Sequence, residues 1–320
     1  MKQATLPLGI DIGATRIRVV EARQTARGAR IRAVATRDIS SGVASSGSLT
    51  DSAYIAVLIE EAVAELGTAQ RRCVCAIGEP DALLRPLTLP NMTSIERERA
   101  ARFEAQRFIE YPVDQAVIRL HPVDASAGLW ALGIARSSAI VTRTAALRAA
   151  GLKLVAMDHE ACALARALPG FDAIVDVGHQ RSSLHLVTPQ TPVTLQAYSG
   201  GADVTRAIER ELSIDAHTAE KRKRILGTAG AGERARAALS ADLAALIQNA
   251  RTTQAVGRVA LVGNAARLAG LAADLESATG ALYEMAVSEA LCGDDYPDDV
   301  IRTSAPDWTL AAGLALWSVN

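Results

Sequence analysis

The sequence predicts an α/β fold built from two related halves, and three observations support this prediction. Residues 8–22, LGIDIGATRIRVVEA, have the pattern of a buried strand, a tight turn and a returning strand. Residues 173–187, AIVDVGHQRSSLHLV, have the same pattern, and Asp176 falls 165 positions after Asp11 (176 − 11). A chain of 320 residues is long enough for two domains, and apolar runs alternate with helical patterns along it. One supersecondary unit repeated in both halves indicates two lobes of similar construction.

The composition excludes several classes of protein. Lysine and arginine (34) nearly balance aspartate and glutamate (35), so the whole chain is not adapted to nucleic acid or to an acidic membrane surface. The basic run at 221–224 is typical of a solvated helix face, with nucleic-acid binding as the weaker alternative. No apolar run approaches the roughly 18 residues that span a bilayer, and the N-terminus has no signal-peptide pattern. We therefore expect a cytoplasmic protein without direct membrane insertion, whose cysteines are reduced or buried thiols: Cys73, Cys75, Cys162 and Cys292.

The first half predicts a core of strands and helices followed by an inserted section. The core elements are strands at 8–12, 17–22, 30–39 and 72–77 and a helix at 54–66. The stretch LTLPN at 87–91 then opens a different section, in which Thr93 or Ser94 caps a charged helix at 95–110. The elements that follow are strands at 116–123 and 129–134 and an apolar helical segment at 145–150. We expect a small α/β insertion between about residues 86 and 155.

The sequence of the second half predicts a similar alternation of strands and helices. Outside the repeated hairpin, the predicted strands are 152–157, 194–198 and 258–262, and the predicted helices are 160–168, 202–211, 219–225, 233–248 and 265–275. A polar loop is expected at 297–306, before a final helix of small residues at 308–317.

Asp11 is the unusual residue of the opening hairpin, because a carboxylate at the end of a buried strand is costly unless it is paired or bound to a metal. Gly13 removes a Cβ where the backbone turns and exposes amide groups that an anion can use. A carboxylate beside such a turn suits a Mg²⁺–nucleotide. The alternative is an N-terminal hairpin in which Asp11 only caps the turn.

Two helices carry faces of small residues. Such faces allow helices to cross closely, which suits a hinge between lobes, and ordinary alanine-rich packing is the alternative. The small residues on the two helices are Ala161, Ala163 and Ala165, and Ala311, Ala312, Gly313 and Ala315.

The two Asp–Gly turns, a strand–Gly–helix unit near the C-terminus and the two alanine-rich helices resemble those of the actin-like ATPase superfamily. Within it, four stretches resemble the PilM family of type IV pilus assembly proteins. LGIDIGATRIRVVEA resembles the first phosphate motif, with Arg18 where a basic residue is usual. LTLPN, followed by a charged helix ending in FIEYP, resembles the inserted subdomain. AGLKLVAMDHEACALARAL at 150–168 resembles the first connecting segment, and APDWTLAAGLAL at 305–316 resembles the last helix.

The resemblance implies a two-lobed actin-like (ribonuclease H-like) ATPase fold with a small α/β insertion in the first lobe. The divisions it implies are a first-lobe core (subdomain 1A) at 1–85, an inserted subdomain (1C-like) at 86–155, a connecting segment at 156–172, a second lobe (2A/2B) at 173–304, and a C-terminal helix returning to the first lobe at 305–320.

The resemblance also implies a site for ATP or ADP with Mg²⁺. Asp11 would hold the ion through waters, and Glu160 or Asp158 would orient or deprotonate the attacking water. A structural role for Glu160, capping the following helix, is the alternative. Glu220 and Lys223 would hold the ribose, or form only an exposed i,i+3 ion pair. The implied nucleotide-binding residues are Gly13, Ala14, Thr15, Asp176, Gly178, His179, Gly200, Gly201, Glu220, Lys223, Gly263 and Asn264.

Three departures from the family pattern lead us to expect weak or absent hydrolysis. Thr15 is the only hydroxyl in the first turn, and residues 179–181 of the second turn are His-Gln-Arg instead of small hydroxylated residues. Asn264 stands where a second glycine is usual, so a side chain enters a place where backbone is expected to approach the nucleotide.

The function implied is an ATP-binding scaffold of the type IV pilus machine, recruited to the inner membrane through a protein partner. The partner would be the N-terminal cytoplasmic tail of a PilN-like membrane protein, docked beside residues 86–155 near Phe103 and Phe108, with other pilus components as further partners and no nucleic acid. A sugar-type kinase is the first alternative, but no substrate-facing aspartate is evident in the first half. An FtsA-like polymerising division protein is the second, and would favour an amphipathic membrane anchor after the last helix, where this sequence stops at Asn320.

Overall fold

The computed structural model describes residues 6–26, 28–40, 44–45, 48–49, 51–188, 191–286, 288 and 299–317. The predicted thiol at Cys292 lies outside these residues. Of the other cysteines, Cys73 and Cys75 are buried and Cys162 is partly buried. Burial raises the pKa of each of these three thiols to about 12, so they are protonated and unreactive, as expected from the sequence.

The first half contains ten strands and three α-helices among the described residues. The strands are β1 (Leu8–Ile12), β2 (Arg16–Thr25), β3 (Gly28–Asp38), β4 (Ala44–Ser45), β5 (Ser48–Leu49), β6 (Arg72–Ile77), β7 (Ala82–Thr88), β8 (Ala116–Asp124), β9 (Leu129–Arg136) and β10 (Lys153–His159). The helices are α1 (Ser52–Glu65), α2 (Ser94–Ala105) and α3 (Ser137–Ala149), with a short 3₁₀ helix at Val113–Gln115.

The second half has the same kind of alternation. Its helices are α4 (Glu160–Ala167), α5 (Gly201–Leu212), α6 (Ala216–Leu226), α7 (Glu233–Ala250), α8 (Leu271–Thr279) and α9 (Asp299–Ala315), with a 3₁₀ helix at Asn264–Arg267. Its strands are β11 (Ala173–Val177), β12 (Ser182–Leu186), β13 (Val193–Ala197), β14 (Arg258–Val262) and β15 (Leu282–Met285).

The two five-stranded sheets have the same topology. Their orders are β10-β6-β1-β2-β3 and β15-β14-β11-β12-β13. In the first sheet β1 pairs antiparallel with β2 and parallel with β6. In the second sheet β11 pairs in the same way, antiparallel with β12 and parallel with β14. Asp11 lies opposite Arg18 in the first hairpin, and Asp176 lies opposite Ser183 in the second. The repeat predicted from the sequence is therefore confirmed as a repeat of structure.

Helices α4 and α9 lie between the two sheets and join the lobes. Leu164 of α4 and Leu314 of α9 pack with Val74 from the first sheet and with Ile174 and Val262 from the second. Helices α1 and α3 cover the outer face of the first sheet, and α5, α7 and α8 cover the outer face of the second. The site described below lies where these layers meet.

The crossing of α4 and α9 is as close as their small residues predict. A Cβ added at Gly313 would overlap the carbonyl oxygen of Ala163, and one at Gly9 of β1 would lie 2.5 Å from the Ala315 nitrogen. Backbone therefore packs directly on backbone at both contacts. Whether this crossing acts as a hinge stays a prediction.

A three-stranded sheet, ordered β7-β9-β8, forms a separate layer with α2. Ala101, Ala105, Leu132 and Ile134 make its small core. Thr93 caps α2 in a full capping box, since its hydroxyl accepts from the Glu96 amide at 3.3 Å while Glu96 accepts from the Thr93 amide at 2.7 Å. This sheet spans 82–136, whereas α3 packs on α1 in the first-lobe core. The domain boundaries expected at 85 and 155 stay predictions.

Several predicted elements differ from the structure. The helix expected at 265–275 is a 3₁₀ turn and then α8, because Gly270 adopts a φ of +86° between them. Helix α2 ends at Ala105 instead of residue 110, because the Arg107 and Phe108 amides bond to carbonyls three residues earlier. The loop expected at 297–306 is wrong for the described residues 299–306, since α9 begins at Asp299 and carries Pro306 inside it. Strands β7 and β15 were not predicted.

Among the described residues, the helices include none that is both long enough and apolar enough to cross a bilayer.

Candidate functional site

The turns of the two repeated hairpins converge on one cavity of about 130 Å³ between the lobes. Most of the residues that the sequence singled out line it. From the first lobe these are Asp11, Gly13, Ala14 and Thr15, from the start of α4 Glu160, and from the second lobe Asp176, Gly178, His179, Gly263 and Asn264.

A second cavity of about 270 Å³ adjoins the first and shares Thr15 and Asn264 with it. Its lining adds Gly201, Glu220 and Lys223, which the sequence also singled out. Together the two cavities make a continuous cleft. This cleft has room for a small polar molecule that would be too long for either cavity alone.

Two predicted residues lie outside both linings. Gly200 is the N-cap of α5, and its amide donates to the Asp203 carboxylate at 2.9 Å. Asp158 lines neither cavity, and its carboxylate accepts from Arg166 at 2.9 Å. Of the two carboxylates considered for activating water, only Glu160 faces the cavity.

Glycines at the turns allow the backbone to approach closely. The Gly13 amide donates to the Arg16 carbonyl at 2.9 Å, which closes the first turn. A Cβ at Gly178 would lie 2.5 Å from the Arg181 carbonyl oxygen. Gly263 has a φ of +87°, and a Cβ there would lie 2.7 Å from the Val177 carbonyl oxygen. Larger residues would push these turns out of the cavity wall.

Arg18 forms a bridge across the cleft. Its Nη1 donates to Asp11 Oδ2 at 3.2 Å within the first lobe, and its Nη2 donates to Asn264 Oδ1 at 2.6 Å in the second. Asp11 and Arg18 are only 8% and 7% exposed. Burial raises the pKa of Asp11, and the Arg18 charge opposes that rise. The asparagine that departs from the family pattern is therefore a hydrogen-bond partner of the basic residue.

The surroundings of Glu160 favour its neutral form. Burial, with the charges of Asp176 and Asp11, raises its pKa to about 8, and burial with the Asp11 charge raises the pKa of Asp176 to about 6. Glu160 does not cap α4, because His159 Nδ1 accepts from the Ala161 amide at 3.2 Å and makes that cap. A protonated carboxyl cannot take a proton from water, so Glu160 is not ready to act as a general base.

Glu220 and Lys223 form an ion pair in which the lysine is buried and the glutamate side chain is 25% exposed. Lys223 Nζ lies 2.7 Å from Glu220 Oε2 and donates to the Gly201 carbonyl at 2.9 Å and to the Thr205 hydroxyl at 2.8 Å. Burial alone would raise the pKa of Glu220, but the Lys223 ammonium and hydrogen bonds from Thr205 and Arg224 hold it at about 2. The pair therefore fixes one wall of the second cavity.

The described residues offer no direct ligand set for a resident metal ion. Within the part of the chain that the structure describes, no group of three or more histidine, cysteine, aspartate or glutamate side chains is arranged to hold one. Asp11, the expected ligand, already accepts from a guanidinium. The Mg²⁺ expected at Asp11 stays a prediction.

Comparison with known protein families shows which family the chain belongs to. Residues 9–319 match the family model described as type IV pilus assembly protein PilM. The chain belongs to the PilM family. It is also similar, at 28% identity and a TM-score of 0.86 over 97% of both chains, to a solved structure described as a PilM–PilN type IV pilus biogenesis complex.

More distant structures have the same fold as this PilM-family chain. The ethanolamine utilization protein EutJ of Carboxydothermus hydrogenoformans is similar at 16% identity and a TM-score of 0.62, over 99% of this chain and 92% of that one. MreB5 of Spiroplasma citri bound to ADP is similar at 12% identity and a TM-score of 0.53, over 97% of this chain and 95% of that one. The two-lobed actin-like fold predicted from the sequence is confirmed.

Sequence reasoning missed some residues of the site in this PilM-family chain. Arg16, Asp307 and Leu310 line the first cavity without having been predicted. Arg18 was noted only as a basic residue of the motif, although its position opposite Asp11 follows from the seven-residue spacing across a tight hairpin. No sequence signal identifies its contact with Asn264, which lies 246 positions away.

Proposed function

We propose that this protein is a nucleotide-binding scaffold of type IV pilus assembly that docks the N-terminal tail of a PilN-like membrane protein. The observation that carries the proposal is the similarity, over 97% of both chains, to a structure described as a PilM–PilN complex. The docked tail recruits the protein to the inner membrane from the cytoplasmic side. A sugar-type kinase or an FtsA-like filament agrees less well with the family match.

ATP or ADP is the ligand proposed for the cleft. The phosphates lie between the turns at Gly13 and Gly178, where the backbone approaches closely. The ribose lies in the second cavity beside the Glu220–Lys223 pair. Slow or absent hydrolysis is part of this proposal, because the raised pKa of Glu160 disfavours the carboxylate that a general base needs and because residues 179–181 and Asn264 depart from the family pattern.

Lys223→Met is expected to weaken ATP binding about tenfold or more, since hydrogen bonds to charged groups contribute about 1.5–3 kcal/mol. The substitution also removes the ammonium that holds Glu220 in place. Isothermal titration calorimetry with Mg-ATP measures the effect, and Lys153→Met, at an exposed lysine of β10, is the control. Equal affinity of both variants would contradict the ribose site.

The inserted sheet offers a docking surface for an extended peptide. A groove of about 630 Å³ runs between α2 and β8, and one of about 420 Å³ follows residues 89–92. Arg97 and Trp130 line both grooves, with the guanidinium 4.9 Å from the indole ring. Strand β8 is at the edge of its sheet, and an extended tail can add to such an edge up to Pro122, which has no N–H.

Trp130→Ala is expected to weaken binding of the PilN-type tail about tenfold or more, because a tryptophan shared by both grooves has the properties of an interface hot spot. Calorimetry with a synthetic tail peptide, with and without Mg-ATP, measures the effect. Tyr198→Ala, at an aromatic residue 84% exposed in the second lobe, is the control. If the unmodified protein binds no tail under either condition, the scaffold function is wrong. If the unmodified protein binds the tail and Trp130→Ala binds it equally well, the proposed groove is wrong.

A further inference from the structure

The bridge made by Arg18 holds a positive charge inside an acidic pocket. The guanidinium is buried, lies 3.2 Å from Asp11 and is held from the other lobe by Asn264 at 2.6 Å. Both of these partners accept from the two terminal nitrogens of the same side chain, which fixes its position more firmly than one contact would.

We infer that the Arg18 guanidinium is the resident cation of this pocket and takes the place of a divalent metal, so that a nucleoside di- or triphosphate binds here without one. The inference rests on the proposed nucleotide binding. The guanidinium faces the turns that line the phosphate cavity, and a planar fork of N–H donors suits phosphate oxygens.

The charges around the pocket favour this arrangement. Asp11 and Asp176 both line the cavity, and the Arg18 charge acts on both carboxylates. A divalent ion binds where carboxylates lack a partner, and Asp11 already has one in Arg18. An ion bound directly to Asp11 would have to displace the guanidinium and leave it buried without its carboxylate, which is costly.

The two hairpins differ at this position, because only the first carries a basic side chain there. The position that corresponds to Arg18 in the second hairpin, 165 residues later (18 + 165), is Ser183. The cation is thus supplied once, from the first lobe. Asn264 begins the 3₁₀ helix that follows Gly263, and it supplies the side-chain oxygen that a second glycine would lack.

The first test compares nucleotide affinity with Mg²⁺ and with EDTA. The unmodified protein is expected to bind ADP with less than about a threefold change in Kd between the two conditions, and a loss of about tenfold or more in EDTA would overturn the inference. In Arg18→Gln, binding in EDTA is expected to fall about tenfold or more. Unchanged binding by Arg18→Gln in EDTA would equally overturn it. The comparison on the unmodified protein needs no variant to fold.

The second test uses a metal alone, so that it does not depend on nucleotide binding. Electron paramagnetic resonance of Mn²⁺ added to nucleotide-free protein is expected to show no stoichiometric site in the unmodified chain. A stoichiometric Mn²⁺ site that Asp11→Asn abolishes would overturn the inference. If the protein binds no nucleotide in either condition, the proposed function is wrong, while a stoichiometric Mn²⁺ site that Asp11→Asn abolishes would still overturn the inference about Arg18.

Discussion

Replacing Gly313 with alanine is expected to destabilise the protein by about 3 kcal/mol, near the upper end of the usual cost of overpacking. The new Cβ would overlap the Ala163 carbonyl oxygen and approach the Ala167 Cβ to 3.2 Å. Backbone atoms of α4 cannot rotate away as a side chain can. Alanine gains about 1 kcal/mol of helix propensity over glycine, and this gain is too small to offset the overlap.

Urea unfolding of both proteins measures the effect, and the midpoint is expected to fall. Gly133→Ala in β9 is the control, because its added Cβ would lie 3.8 Å from the nearest atom, the Arg119 carbonyl oxygen. The control is expected to be close to neutral. If Gly313→Ala is equally neutral, the backbones of α4 and α9 do not pack as closely as the contact between Gly313 and Ala163 requires.

Glu160→Gln is expected to stabilise the protein at alkaline pH, by about 2 kcal/mol at pH 8 after allowing for water in the cavity. The pKa of Glu160 is raised from its ordinary value of 4.5 to about 8, mainly by burial. The native state therefore binds a proton that the unfolded state has lost between these values. The stability contributed by the protonated carboxyl is full below about pH 4.5 and is lost as the pH rises towards 8.

Glutamine cannot ionise, so the variant should lack this loss of stability. The difference in free energy of unfolding between variant and unmodified protein should be larger at pH 8 than at pH 5. Glu60→Gln, at an exposed carboxylate on α1, should show no such difference. A parallel pH dependence of the variant and the unmodified protein would show that Glu160 is not held as a neutral acid.

The state of Glu160 connects the fold to the proposed function. Its carboxyl packs against the Cα of Gly78, so the end of β6 and the start of α4 together hold it in the cleft. In the proposed function, the raised pKa of Glu160 and the pairing of Asp11 with Arg18 favour binding of a nucleotide over its hydrolysis.

The elements set by local pattern were predicted well from the sequence. Strands 72–77 and 258–262 were predicted with their observed bounds, because continuous apolar runs next to turn residues are typical of buried strands. The edge strand β7 was missed, since Pro86 lies within it and an edge strand tolerates proline that a central strand does not. The start of α9 was missed because Pro306 is normally evidence against a helix.

By itself the sequence determined the two-lobed fold, the repeated hairpins and most of the residues that line the cleft. Spacing along the chain carries the fold and the hairpins, because periodicity and turn residues act over a few positions, whereas most of the cleft residues were implied by the resemblance to the PilM family. Only the tertiary structure decided the state of those residues. The Arg18–Asn264 contact joins positions 246 apart, and the protonation of Glu160 depends on burial by both lobes, so neither is encoded in any short stretch.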